Sequence, residues 1–392
     1  MSMDHPALLT AARTLATDVL NANWREDGGY TSPNLDTYPW QWLWDSCFHA
    51  IIWAALGDER AVRELEAVFT HQDAVGFVPH MGYQLDPEVA TPLWGRSGCS
   101  SISQPPMFGH ALCELHRAGL PVGHLVERAV AGIAFFGEHR RTNTGLLRIV
   151  HPWESGADNT PRWDRFCPGG FDKARWMTAK IAMLDTISFG PTGAPLHNPA
   201  FDVAPVSFAA LVAMNAADMG ATFNVPDLSN LAVELGDAVA STFDPSRGTW
   251  VDQLGDGAPA GDDDVIDALF GLFVDRRPEA RATVADALTN EERLAAPFGP
   301  CAVSRSHPGF DPTGYWRGPQ WPHLTYLLAL ACRAAGLDHE AALAEDGLLR
   351  GAVHSTFGEY INPFTGGPLG AHPQSWTGLS IVHAAHRDRS AR

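Results

Sequence analysis

Five carboxylates of this 392-residue chain lie in stretches with no helical or strand period, next to tryptophans, tyrosines, amides and glycines: Asp45, Glu154, Asp158, Asp164 and Glu359. The densest stretch, HPWESGADNTPRWD at 151–164, holds three of them and two tryptophans. Two carboxyl groups on opposite sides of a glycosidic bond are what its hydrolysis requires. One protonates the leaving oxygen, and the other activates water or attacks the anomeric carbon. The neighbouring residues suit a sugar. Flat indole and phenol faces pack on the C–H faces of a sugar ring, while acids and amides match its hydroxyls.

The five acids are not equivalent. Asp158 follows Ser155, Gly156 and Ala157, small residues that let a ligand approach the backbone closely. Glu359 stands in a loop bounded by Gly358 and Pro363. Asp45 follows WLW at a helix start, where it is either a fixed acceptor for sugar hydroxyls or a first-turn acid stabilised by the helix dipole. Asp164 is expected to pair with Arg162, Arg165 or the backbone. Glu154 is expected to hydrogen-bond within its loop, near enough to Asp158 to influence its proton. The acidic run GDDDVID at 261–267 lacks the spacing of a calcium hand, and His80, His151, His323 and His372 lack that of a zinc helix, so no metal is expected. These histidines read as substrate contacts or satisfied buried groups. A nucleophile elbow, a P-loop and a dinucleotide fingerprint are all missing from the sequence.

Helices must position these groups, because apolar residues recur at three-to-four spacing and alternating β-branched runs are nearly absent. The pattern places helices at 5–21, 44–55, 58–72, 106–118, 122–139, 173–187, 204–219, 226–242, 262–273, 277–289, 319–335, 338–354 and 373–386. Those at 58–72, 226–242 and 338–354 carry a charged face. Those at 44–55, 204–219 and 319–335 are nearly charge-free past the first turn and read as buried all round. With 173–187 set aside as an extra or lid helix, outer and inner helices alternate six and six. The expected fold is all-α, an (α/α)6 barrel in one domain spanning 1–388, with a disordered polar tail at 389–392. Every outer-to-inner connection is long and irregular, and all would open at one mouth. There they gather YPWQWLWD, GFVPHMGYQ, SQPP, the acid loop, GYWRGPQWP, GEYINP and HPQSW.

A formal charge of −18 with no basic cluster excludes nucleic acid and anionic lipid as partners. No apolar run near the ~18–20 residues of a membrane span is apparent, so no membrane association is expected. The N-terminus MSMDHPALLT lacks a secretion pattern, and six scattered cysteines without a C-x-x-C pair read as buried thiols; the expected compartment is the cytoplasm. Association into a homo-oligomer is left open.

WLWDS, SGADNTPRWD, GYWRGPQWP and EYINPFTG, four motifs in order, resemble the catalytic barrel of glycoside hydrolase family 63, most closely its bacterial mannosylglycerate and glucosylglycerate hydrolases. The likeness spans roughly residues 38 to 376. It implies an (α/α)6 barrel, inversion of anomeric configuration, no cofactor and a small carbohydrate substrate. By motif, Asp158 resembles the general acid and Glu359 the general base. Tyr38, Trp44 and Asp45 resemble residues around the non-reducing sugar, with Gln104, Gly156, Trp316 and Trp321 completing that subsite. Tyr83, Tyr315 and Gln374 resemble contacts on the sugar or aglycone side, and Arg175 is assigned as the cation for an aglycone carboxylate. The implied mechanism keeps Asp158 protonated in a partly apolar pocket, Glu359 ionised, and the two carboxyls roughly 6.5–9.5 Å apart. Two rival readings are a sugar epimerase or isomerase using an opposed pair of rim histidines, and a non-catalytic sugar-binding protein.

Overall fold

The computed structural model describes residues 3–261 and 264–384. The α-helices, in chain order, are α1 His5–Asn23, α2 Leu43–Leu56, α3 Arg60–Val68, α4 Thr91–Trp94, α5 Phe108–Arg117, α6 Val126–His139, α7 Lys173–Leu184, α8 Val206–Phe223, α9 Pro226–Ser241, α10 Pro278–Thr289, α11 Pro322–Ala334 and α12 Asp338–His354. Local chemistry sets their ends. Asp4 accepts the amide of Ala7 at the head of α1, and Pro226, Pro278 and Pro322 open three helices where no amide hydrogen is needed. Gly57, at φ 77°, closes α2 in the left-handed conformation that costs glycine nothing.

The helices expected at 262–273 and 373–386 are corrected in kind. The first has the 3-10 segment Ile266–Phe273 as its described helical part, and the second runs as the 3-10 segment Ser375–Ile381 before turning α-helical at 382–384. Each is short and entirely buried, and each carries a glycine pressed on a neighbour: a Cβ on Gly271 would lie 2.4 Å from the Trp250 ring, and one on Gly378 would lie 3.0 Å from Ile52. Asp262 and Asp263 of the acidic run lie outside the described residues, as do the end of the last expected helix and the tail 389–392.

Packing follows the alternation read from charge. Helix α2 packs on α5, α5 on α8, α8 on 266–273, that segment on α11, α11 on 375–381, and 375–381 back on α2. Outside them, α3, α9 and α12 each lie against the inner helix just before them in the chain. Helix α6 rests on α5 and α8, α10 on 266–273 and α12, and α1 on 375–381 and α12. The inner elements are apolar because both sides are covered. Helix α2 buries eleven consecutive residues from Leu43 to Trp53. Helix α8 corrects the expectation that nothing approaches a membrane span: by length and composition it could cross a bilayer, but 67% of it is buried inside this fold.

The long connections hold short strands that no alternating pattern announced. All six antiparallel ribbons among the described residues are two-stranded. Gln41–Trp42 pairs with Met81–Gly82, joining the first two connections, and Val203–Ala204 pairs with Gln253–Leu254, joining the third and fourth. Strands of two or three residues are too short for period-two patterning, so hydrogen bonding to a distant loop defines them.

One close approach tests the outer packing. A methyl group on Gly347 of α12 would lie 2.6 Å from Gly299 Cα, backbone that cannot swing aside. Gly347→Ala is expected to cost about 1–3 kcal/mol in chemical denaturation.

Candidate active site

The loop expected to carry the chemistry is held by ion pairs at both ends. After α6, Arg140 forms a two-pronged pair with Glu154 at 2.9 Å on both arms, and both side chains are fully buried. Glu154 also accepts the amides of Ser103 at 2.9 Å and Val150 at 2.8 Å. Burial alone would raise the Glu154 carboxyl, but the Arg140 charge and these hydrogen bonds outweigh it and hold it below the usual range. Glu154 therefore pins three chain segments together. Asp164 does pair with an arginine, as expected of a structural acid, yet the partner is neither sequence neighbour. Arg317, from the GYWRGPQWP motif, grips it at 2.9 and 2.8 Å and also reaches the Asn159 carbonyl at 3.2 Å. Arg162 is engaged with Asp252 and Asp267 instead.

Between these anchors the chain makes a 3-10 turn at Pro152–Ser155 and reverses at Gly156, φ 74°. A Cβ at 156 would stand 2.2 Å from the Trp44 ring, so the glycine is required both by backbone conformation and by contact. The turn delivers Asp158 to the wall of a cavity of about 450 Å³. Tyr38, Trp44, Asp45, Tyr83, Gln104, Gly156, Tyr315, Trp316 and Gln374 line the same cavity.

Glu359 stands behind that wall, with 2% of its surface exposed, and reaches it through Tyr38, whose hydroxyl donates to Glu359 Oε1 at 2.9 Å. The Ala371 amide donates to the other oxygen at 2.7 Å. Burial is the main influence on Glu359; with the Asp158 charge it overrides both hydrogen bonds and raises the carboxyl to about 7. Burial, reinforced by Glu359, also pushes Asp45 well above the usual range and Tyr38 further up. Trp321 lies one layer back, stacked on Trp316 with ring centroids 3.4 Å apart and planes within 5°. Trp316 itself adopts φ 64°, a left-handed conformation costing a bulky residue on the order of 1–3 kcal/mol, held by that stack and by Arg317 next to it.

Arg175 is a correction. It starts the exposed side of α7, where its guanidinium bonds the Gly170 carbonyl at 3.3 Å, and it does not line the cavity. The cations that do are Lys173 and Lys180 of the same helix, on either side of Met177. Lys180 bonds the Asp158 carboxylate and, at 2.9 Å, the Asn159 side-chain oxygen. The surroundings of Asp158 thus differ from the apolar, proton-keeping pocket expected of it. Sequence reasoning missed these two lysines because α7 was set aside as a lid; the spacing of Lys173, Met177 and Lys180 at i, i+4 and i+7 after the acid loop was the available signal.

Of the four rim histidines, His80 alone lines the cavity among the described residues. Burial pulls it down to about 3, so it is neutral, and it shares a 2.6 Å hydrogen bond with Ser100. His151 bonds the Lys180 carbonyl at 2.8 Å, His372 bonds Thr356, and His323 is sealed between Trp44 and Trp376. An opposed histidine pair, which an epimerase would need, does not line the cavity among the described residues.

Residues 38–377 match the family described as the mannosylglycerate hydrolase MGH1-like glycoside hydrolase domain. The chain is 27% identical to a mannosylglycerate hydrolase of Thermus thermophilus, over 92% of its own length and 97% of the relative. It is 28% identical to a glucosylglycerate hydrolase of Mycolicibacterium hassiacum, over 88% and 91%. A crystal structure of a family 63 mannosylglycerate hydrolase from Thermus thermophilus in complex with glucose superposes with a TM-score of 0.80 at 25% identity, covering 97% of this chain and all of that one.

Removing the Arg140 guanidinium would leave Glu154 charged and buried. Arg140→Met is expected to destabilise the protein by about 3–5 kcal/mol in denaturant titration, while Arg140→Met combined with Glu154→Met recovers part of that loss.

Proposed function

The chain belongs to the MGH1-like branch of glycoside hydrolase family 63, and from that premise we propose that it hydrolyses a small α-glycoside of glyceric acid, glucosylglycerate or mannosylglycerate, with inversion. The observation that carries this reading is one cavity in which a carboxylate, an indole-rich wall and two lysines meet. The aromatic wall suits the sugar, and lysines suit a carboxylate on the aglycone. An uncharged α-glucosyl disaccharide, the other substrate type, brings no anion to the cations at Lys173 and Lys180. The scaffold is read as an (α/α)6 barrel, supported by the closed succession of inner contacts. The six free, buried cysteines favour a cytoplasmic location.

In the proposed single displacement, water attacks the anomeric carbon from the Glu359 side and gives its proton to that carboxylate. Asp158 protonates the departing oxygen as the C–O bond breaks with its electron pair. Tyr38 orients Glu359 through its 2.9 Å hydrogen bond. Among the residues lining the cavity, Tyr38, Tyr83, Gln104 and Gln374 carry groups of the kind that hydrogen-bond sugar hydroxyls. A non-catalytic binder would use these groups equally well, but it would have no use for a second carboxyl raised by burial behind the first.

The base must be ionised, and Glu359 is raised to about 7, so kcat is expected to rise as pH increases through about 7 and to fall away below it. A kcat profile flat from about pH 5 to 8 would exclude Glu359 as base. Asp158→Asn is expected to slow hydrolysis of glycerate glycosides by roughly 10²–10⁴-fold and to spare glycosyl fluorides, whose leaving group needs no proton. Glu359→Gln should slow both. The first sugar released from an α-glycoside is expected to be the β-anomer by NMR.

A further inference from the structure

The group proposed as acid is bonded to a buried cation in the free protein, while the group proposed as base is raised by burial. A general acid must hold a proton when the bond breaks, yet an ammonium in hydrogen-bond contact favours the carboxylate form. Lys180 is that ammonium. It is 1% exposed, bonds Asp158 and Asn159, and lies 5.6 and 5.8 Å from the ring centroids of Trp153 and Trp176. If Asp158 simply took a proton, Lys180 would keep a buried charge with only an amide oxygen and two indoles as partners, a costly state. A second anion arriving beside it removes that conflict, and the substrate's carboxylate is such an anion.

We propose that Lys180 is a positioning residue operated by the aglycone. In the free protein it is bonded to the Asp158 carboxyl. When an anionic aglycone enters along the Lys173–Lys180 wall, Lys180 transfers its ion pair to the aglycone carboxylate. Asp158, released, takes one proton from solvent and later gives it to the glycosidic oxygen. Lysine suits the task because a flexible four-carbon stem carries three rotatable donors, so it can change partners without moving its helix. Lys173, the first residue of α7 and exposed at the mouth, gives an incoming anion its first charge. The inference rests on the hydrolase reading and on Asp158 as acid. The charged and titratable groups acting on Asp158 are Lys180 from α7, Glu359 from the loop after α12, and the phenols of Tyr38 and Tyr315.

A carboxylate-binding lysine of the ordinary kind would alter KM. A coupled one alters kcat, because an uncharged substrate binds but leaves Asp158 paired. The probes are glucosylglycerate and mannosylglycerate, each beside its uncharged glycerol counterpart. The wild-type kcat is expected to be roughly tenfold or more higher on the charged glycosides, a ratio read without any variant. In Lys180→Met the two kcat values should converge to within about twofold, and the alkaline limb on the glycerol glycoside should move to higher pH. Lys180→Arg should restore both the preference and the limb. Equal wild-type kcat on charged and uncharged glycosides, or a Lys180→Met change confined to KM, overturns the coupling and leaves the hydrolase reading standing. Wild-type protein that hydrolyses neither class overturns that reading and the inference with it.

Discussion

The fully buried pair of Arg140 and Glu154 fixes the path of the chain through the site. Residues 151–164 have no helix ladder or strand partner long enough to hold them, so their backbone has to be positioned by side chains from other segments. Glu154 does this with four hydrogen bonds, tying the end of α6, the approach to α5 and its own loop to one carboxylate. Arg317 does the same at the far end through Asp164. Gly156 to Asp158 lie between these two anchors, and the Trp44 ring fills the space where any Cβ at 156 would go.

Charge and ring packing work together beyond that loop. The stretch that supplies Arg317 also supplies Trp316, whose left-handed backbone is tolerated because its ring is stacked on Trp321 and its neighbour is clamped to Asp164. Trp321 in turn stacks on Tyr360, next to Glu359, with ring centroids 4.6 Å apart. The aromatic stack and the Arg317–Asp164 pair therefore link the loop of one carboxyl to the loop of the other. The raised proton affinity of Glu359 follows from its burial, since an apolar surround is a poor solvent for a carboxylate.

Much of this was legible in the residues. The charge-free character of 44–55, 204–219 and 319–335 marked buried helices, and the structure buries nearly all of α2, most of α8 and most of α11. The motif stretches lie in the long connections that lead into inner elements. What escaped were relations between distant segments. The partner of Asp164 lies 153 residues away, and nothing in the spacing of charges chooses Arg317 over the adjacent Arg162 and Arg165. The two inner elements that are 3-10 segments have the apolar content of helices; their tighter winding comes from close packing at Gly271 and Gly378, which periodicity does not report. Arg175 was chosen for its charge and place in the chain, but its position on α7 turns it to solvent, while Lys173 and Lys180 share the face toward the cavity.

That last error shows how the site divides its work. The groups suited to a sugar come from connections rigidly tied to the inner elements: WLWDS before and into α2, GYWRGPQWP before α11, and HPQSW before 375–381. The cations come from α7, an element outside the succession of inner helices and one that displays Met177 and Ile181 to solvent at 44% and 41% exposure. Its hold on the rest passes through few residues, chiefly Trp176, whose indole donates to the Asp158 carbonyl at 2.8 Å, and Lys180, whose own carbonyl accepts from His151. Changes on exposed positions of α7 can therefore be made without disturbing the aromatic stack. A change at Lys180 is different in kind, because the side chain that would meet the aglycone is the one already bonded to Asp158.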